Sequence, residues 1–208
     1  SLSHTGRETG PDGVARVAWS LGTVAGGQVL RASAPNLGEV NFHADAVPDY
    51  DSARVVPISG GDQKGLVAQD LPQPLVARVT DQFGNPLPGL SAEWSFSEGG
   101  GFLGSSGSTG DPAPTLTSST DEQGITQVFW RLGTAAGTQE AVCVAASSPA
   151  VGFSAEAAPG PVAVVSVTPA ADTIEVGHTK QFVSSAQDAF GNPITDASGQ
   201  WEASESAV

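Results

Sequence analysis

The stretch Asp81–Trp94, DQFGNPLPGLSAEW, returns 107 residues later as Asp188–Trp201, DAFGNPITDASGQW. A second recurrence runs at a different offset. Thr9–Gln28, TGPDGVARVAWSLGTVAGGQ, matches Thr120–Gln139, TDEQGITQVFWRLGTAAGTQ, 111 residues on, and the correspondence continues from Phe42 to Phe153 and from Pro48 to Pro159. Self-similarity at a fixed period marks a duplicated structural unit, here about 110 residues long. The two recurrences interlock, and residues 49–159 hold both motifs once. The expected organisation is the late half of one unit at 1–48, a complete unit at 49–159, and the early half of a third at 160–208. Each half alone would leave an apolar face open to water. An excerpt of a longer array, completed by residues beyond it, is the first expectation; completion between chains by head-to-tail strand exchange is the second.

The repeated strings have a local physical reading. In DQFGNP and DAFGNP, Gly84 and Gly191 accept a positive φ, and Asn85 and Asn192 tolerate the left-handed region or bond their own backbone. Pro86 and Pro193 fix φ and block further ladder pairing, so each string ends a strand in a turn. Leu75, Ala77 and Val79 alternate before the turn and Leu90, Ala92, Trp94 and Phe96 after it. The same period of two recurs at Val128, Trp130 and Leu132, at Ala141, Cys143 and Ala145, and at Val151, Phe153, Ala155 and Ala157. With Ala53–Ser59 opening the unit, about seven short strands separated by turn-rich text predict an antiparallel β-sandwich, with no helical period. Trp94 and Trp201 are expected in the space between two sheets. So are Trp19 and Trp130, on strands whose wet face is marked by Arg16 and Arg131.

Composition narrows the function classes. The 208 residues are 39% hydrophobic, enough for packed cores, and 26 Gly with 15 Pro suit short strands and many turns. The formal net charge of −14 repels phosphate backbones and anionic headgroups, which excludes nucleic acid as an expected partner. No stretch approaches the ~18 apolar residues of a membrane span, so no membrane insertion is expected in this segment. SLSHTGRETGPDG has neither the basic start nor the apolar middle of a signal peptide, and methionine is absent; the stretch reads as a mature product or an excerpt. The single cysteine, Cys143, cannot form a disulfide within the chain and reads as a small buried hydrophobe.

Catalytic and metal-binding patterns are not found in the sequence. His4, His43 and His178 are far apart, in no H-x-x-x-H or H-E-x-x-H arrangement, and read as solvated or partly packed. GSSGSTG at 104–110 lacks the Lys-Ser/Thr ending of a phosphate loop and reads as a mobile loop; no G-x-S-x-G elbow occurs. Asp49, Asp51, Asp81 and Asp188 cluster at junctions and turns, where hard oxygen ligands can hold Ca²⁺, but no twelve-residue calcium loop accompanies them and turn roles are expected instead. No catalytic, cofactor-binding or metal residue is assigned, and no cofactor.

The order TDQFGNPLPGLSAEWSF followed by TDEQGITQVFWRLGTAAGTQEAVCVAA resembles the bacterial immunoglobulin-like repeats of invasin- and intimin-type adhesins. The stretch VVSVTPAADTIEVGHTKQFVSSAQDAFGNPITDASGQWEASESAV is similar to the related group 2 repeat. The resemblance implies tandem immunoglobulin-like antiparallel β-sandwiches, one complete and two partial, in an extracellular or cell-surface array, and it carries over no catalytic residue. It implies a non-catalytic structural or adhesive module, acting as spacer or binding module. Its partners are then neighbouring immunoglobulin-like domains of the same or adjacent chains, with surface proteins or glycans as ligands. The alternative is an accessory carbohydrate- or polymer-binding segment of a secreted enzyme, which an exposed row of aromatics would favour.

Overall fold

The computed structural model describes residues 1–3, 5–36, 38–105 and 113–203; His4 and most of the GSSGSTG string lie outside them. Thirteen strands and one 3-10 turn make up the regular structure of the described residues, with no α-helix among them. In chain order they are β1 (Gly26–Ala34), β2 (Gly38–Ala46), the turn Tyr50–Ser52, β3 (Arg54–Ser59), β4 (Gln63–Leu66), β5 (Leu75–Thr80), β6 (Ser91–Glu98) and β7 (Gly101–Gly104). They continue with β8 (Leu116–Ser119), β9 (Ile125–Leu132), β10 (Gly137–Ala145), β11 (Val151–Ala158), β12 (Val164–Thr168) and β13 (Val183–Gln187).

Strands β3 to β11 form two sheets, ordered β4-β11-β10-β6-β8 and β3-β5-β9-β7, and together they make an immunoglobulin-like sandwich. The period-two readings hold residue by residue: Leu75, Ala77 and Val79 on β5, Val128, Trp130 and Leu132 on β9, and Ala141, Cys143 and Ala145 on β10 are all buried. Every buried apolar residue of the core lies between Val55 and Ala157.

Small side chains on the central strand β10 make room for large ones beside it. Cys143 is paired with Trp94 of β6 and Ala141 with Phe153 of β11, and the Trp94 and Phe153 rings meet above them with centroids 5.4 Å apart. Trp94 also reaches the other sheet, where its Nε1–H donates to Thr126 Oγ1 on β9 at 3.2 Å. Phe96 and Trp130 span the sheets in the same way, with centroids 5.9 Å apart. Burial pushes the Cys143 thiol up to about 12, as expected of a packed residue rather than a nucleophile.

Nine strands, rather than about seven, build the sandwich. The additional ones are short: β4 (QKGL), β7 (GFLG) and β8 (LTSS) are four residues each and carry too few apolar side chains to show alternation. Pairing is antiparallel throughout except for β4, which runs parallel to β11 at the sheet edge. At Gly101 a Cβ would lie 2.2 Å from the Arg131 carbonyl oxygen, so a side chain there would push β7 off β9.

Outside the sandwich, β1 pairs with β2 and β12 with β13 as separate two-stranded sheets. Trp201 is exposed and Trp19 partly so, which corrects the expectation that both fill a core. The physical reason is that β1–β2 and β12–β13 are each a lone two-stranded sheet, with no second sheet to enclose an aromatic between them. His43 and His178 are exposed, as read.

Candidate functional site: a clasp repeated at two junctions

The FGNP turns do more than end strands. At the first, Asp81 N–H donates to the Asn85 carbonyl at 2.9 Å and Gly84 N–H to the Asp81 carbonyl at 3.1 Å, a tight return that needs the positive φ of Gly84, 88°. Inside the return lies the buried Asp81 carboxylate. Its Oδ1 accepts the N–H groups of Phe83 and Asn85, both at 2.9 Å, while Oδ2 accepts Asn85 Nδ2 at 2.8 Å and Asp49 N at 3.2 Å. Burial raises the Asp81 pKa, but the Asn85 side chain and the backbone donors outweigh it and hold the carboxyl below its ordinary value.

Asn85 then turns outward to a distant part of the chain. Its second amide hydrogen goes to the Thr23 carbonyl at 2.8 Å, and its Oδ1 accepts Ala25 N–H at 2.9 Å. Both acceptor and donor belong to the G-T-x-A-G string. Every hydrogen-bonding direction of the amide except one lone pair is used, so the side chain is held in one orientation. Asn85 is not in the left-handed region, and its side-chain partners are Asp81 and, 62 and 60 positions away, Thr23 and Ala25; the expectation that it bonds its own backbone is corrected accordingly.

The second junction repeats the first atom for atom. Asp188 Oδ1 accepts Phe190 N and Asn192 N, both at 2.9 Å, and Oδ2 accepts Asn192 Nδ2 at 2.8 Å and Gly160 N at 2.9 Å. Asn192 donates to the Thr134 carbonyl at 2.8 Å and accepts Ala136 N–H at 2.8 Å. Here too burial raises the pKa, but the Asn192 side chain and the N–H groups of Gly160, Asn192 and Phe190 bring it down to about 2. Gly191 takes φ 86°.

The last residue of the late motif braces the receiving loop. Gln28 Oε1 accepts Gly22 N at 2.7 Å and its Nε2 donates to the Val24 carbonyl at 3.1 Å. In the second copy Gln139 takes Gly133 N at 2.8 Å and gives to the Ala135 carbonyl at 2.7 Å. A glutamine inside the loop thus satisfies the inward backbone groups, leaving the Thr carbonyl and Ala N–H aimed at the asparagine. Gly26 and Gly137 turn the chain out of the loop at φ 118° and 117°. Nothing in single-motif reading assigns Gln28, Gln139, Thr23 or Thr134 a role; the co-recurrence of the two motifs was the available signal.

Of the aspartates considered as calcium ligands, Asp81 and Asp188 are saturated by N–H donors in the clasps. Asp49 caps the 3-10 turn through Asp51 N at 3.2 Å and meets Gln82 Nε2 at 3.3 Å. Among the described residues no group of three or more His, Cys, Asp or Glu side chains converges.

No protein-family model and no curated protein matches the chain. Among solved structures it is similar to FdeC, an Escherichia coli adhesin, at 17% identity and a TM-score of 0.47, over 85% of this chain and 55% of that one. It is also similar to domains 4–9 of the surface layer protein SbsC, at 17% identity and a TM-score of 0.40, over 88% of this chain and 27% of that one. A family 2 glycosyl hydrolase from Bacteroides cellulosilyticus matches at 16% identity and a TM-score of 0.36, over 62% of this chain and 18% of that one. The chain therefore spans about half the length of the adhesin structure and about a quarter of the surface-layer one.

Proposed function

We propose that this chain is a non-catalytic structural and adhesive module of a bacterial extracellular or cell-envelope array. Its units are divided at 1–48, 49–159 and 160–208 and are of the invasin/intimin group 1 type, with a group 2 type at 160–208. One observation carries the reading: the same four-donor carboxylate and the same two-point asparagine bridge occur at both junctions. A junction built twice from identical contacts sets each repeat in the same relation to the one before it. Repetition of one relation propagates a semi-rigid rod, which is what a spacer carrying a binding end away from a surface requires. The neighbouring immunoglobulin-like domains are then its first partners, with surface proteins or glycans met along or at the end of the rod. The extracellular or cell-surface location follows from the resemblance of the repeats.

The test is mechanical. Backbone ¹⁵N relaxation on the chain should give residues 26–46, 54–158 and 164–187 one shared anisotropic tumbling, and Asn85→Ala with Asn192→Ala should release the flanking segments into faster, independent motion. Independent tumbling in the unaltered chain would overturn the rod.

A further inference from the structure

The charges of the complete sandwich are sorted between its two sheets. Strands β3, β5, β9 and β7 carry Arg54, Arg78 and Arg131 and no carboxylate, whereas β4, β11, β10, β6 and β8 carry four glutamates and a single cation, Lys64. The alternation that buries Val55, Ala77 and Trp130 turns the three arginines to the outer face of their sheet. Arg131 is held by Asp70 at 2.7 Å, Arg78 donates its Nε–H to the Gln123 carbonyl at 3.0 Å, and Arg54 is exposed. Beside the arginines the same face shows apolar side chains: Val56, Ile58 and Phe102 are 45%, 54% and 46% exposed, and Val76 and Phe129 are half-buried. In register, Phe129 stands two residues from Gln127, the partner of Val76, and Phe102 two from Gly104, the partner of Phe129, so the apolar band crosses the sheet. On the opposite outer face Glu93, Glu140 and Glu156 are exposed around the half-buried Val142 and Val144. Val144 is paired with Glu93, and Val142 with Gly152, which has no side chain to cover it.

We propose that the outer face of the four-stranded sheet is a docking surface for the outer face of the five-stranded sheet of a second copy of this chain. Charge complementarity selects this occupant. Arginines around an apolar band meet glutamates around a pair of valines, so each charged group finds its opposite and each apolar patch its cover. The net charge of −14 makes whole copies repel, but at physiological ionic strength that repulsion is screened beyond ~8 Å and the groups in contact decide. An apolar band with a polar rim is also the make-up of an interface rather than of a wet sheet face. The two surfaces are opposite sides of one sandwich, so each docked pair keeps one free face of each kind. Such a heterologous contact does not close and extends side by side. Both surfaces lie within residues 54–158, inside the complete sandwich.

Sedimentation velocity of the full 208-residue chain from low micromolar to submillimolar concentration tests it, with Val56→Glu on the basic face and Glu93→Arg on the acidic face as variants. The mass of the unaltered chain should rise with concentration past the dimer. Each variant alone should self-associate at least about 10-fold more weakly, because each sets like charges against each other in the contact. Glu93→Arg decides between local contact and general repulsion: it lowers the overall negative charge, so stronger association of this variant overturns the proposal. Val56→Glu keeps a sound acidic face and Glu93→Arg a sound basic one, so an equimolar mixture should form a dimer and stop there. Neither residue belongs to the buried core, and an unchanged thermal midpoint verifies that both variants are folded. Should Val56→Glu lower that midpoint, Arg54→Glu at the exposed start of β3 takes its place. A chain monomeric at every concentration overturns the proposal. So does association that ends at a dimer of the unaltered chain, assembly that neither substitution weakens, or a mixture that stays monomeric. The relaxation experiment reads the clasps within one chain, and sedimentation reads contacts between copies, so either reading can fail without the other.

Discussion

Asn85 and Asn192 each set a neutral amide between a carboxylate and the backbone of another segment, donating to both and accepting from the second. Alanine at 85 leaves the Thr23 carbonyl and the Ala25 N–H without their partner and strips Asp81 of its side-chain donor. The expected cost is about 1–3 kcal/mol, that of stranded polar groups, with faster amide exchange at Ala25; unchanged exchange there would refute the bridge. Asn85→Asp should be worse, because it faces a second carboxylate toward Asp81 Oδ2 where Nδ2 now lies at 2.8 Å. The clasps also have a definite pH range. Asp188 has a folded pKa of about 2, below its ordinary 3.8, so its contribution is complete above the ordinary value and is lost as pH falls through about 2. A carboxyl ¹³C titration of Asp188 should show its midpoint near 2, and one near 3.8 would mean that the clasp is open in solution.

At the scale of elements, equal residues have unequal roles. Trp94 is sealed between sheets and touches Phe153 and Thr126, whereas Trp201, at the same place in its repeat, is exposed. Trp94→Ala should lower the stability of the sandwich by roughly 3–5 kcal/mol in urea unfolding, while Trp201→Ala should leave its midpoint within the scatter usual for surface changes, about 0.5 kcal/mol. A comparable loss from both would contradict the confinement of the core to residues 55–157. The long strands were legible because alternation at Leu75, Ala77 and Val79 or at Val128, Trp130 and Leu132 follows directly from a two-residue side-chain period. β4, β7 and β8 were not, since four residues with one or two apolar side chains carry no period. The clasp was half legible. Gly84 and Gly191 read as turn residues from local stereochemistry alone, but Asn85 meets Thr23 across 62 residues, a pairing that only tertiary structure brings about.

For the whole molecule, the clasps decide how an acidic chain joins its parts. With a net charge of −14, bridging carboxylates by Ca²⁺ is one physical solution to stiffening a string of domains. This chain has another: Asp81 and Asp188 each face four N–H donors, and a cation would have to displace them. Charge-assisted bonds from fixed backbone donors hold the carboxylates ionised without a counter-ion. Saturating a calcium site at about a hundred times its dissociation constant would add about 2.7 kcal/mol and raise the melting midpoint by several degrees. Addition of millimolar Ca²⁺, followed by excess chelator, is therefore expected to leave the thermal midpoint and the shared tumbling of the segments unchanged. A reversible rise of several degrees with Ca²⁺ would show that junction stiffness is carried by metal and not by the asparagine bridges, and would separate this chain's joints from the purely hydrogen-bonded kind described above.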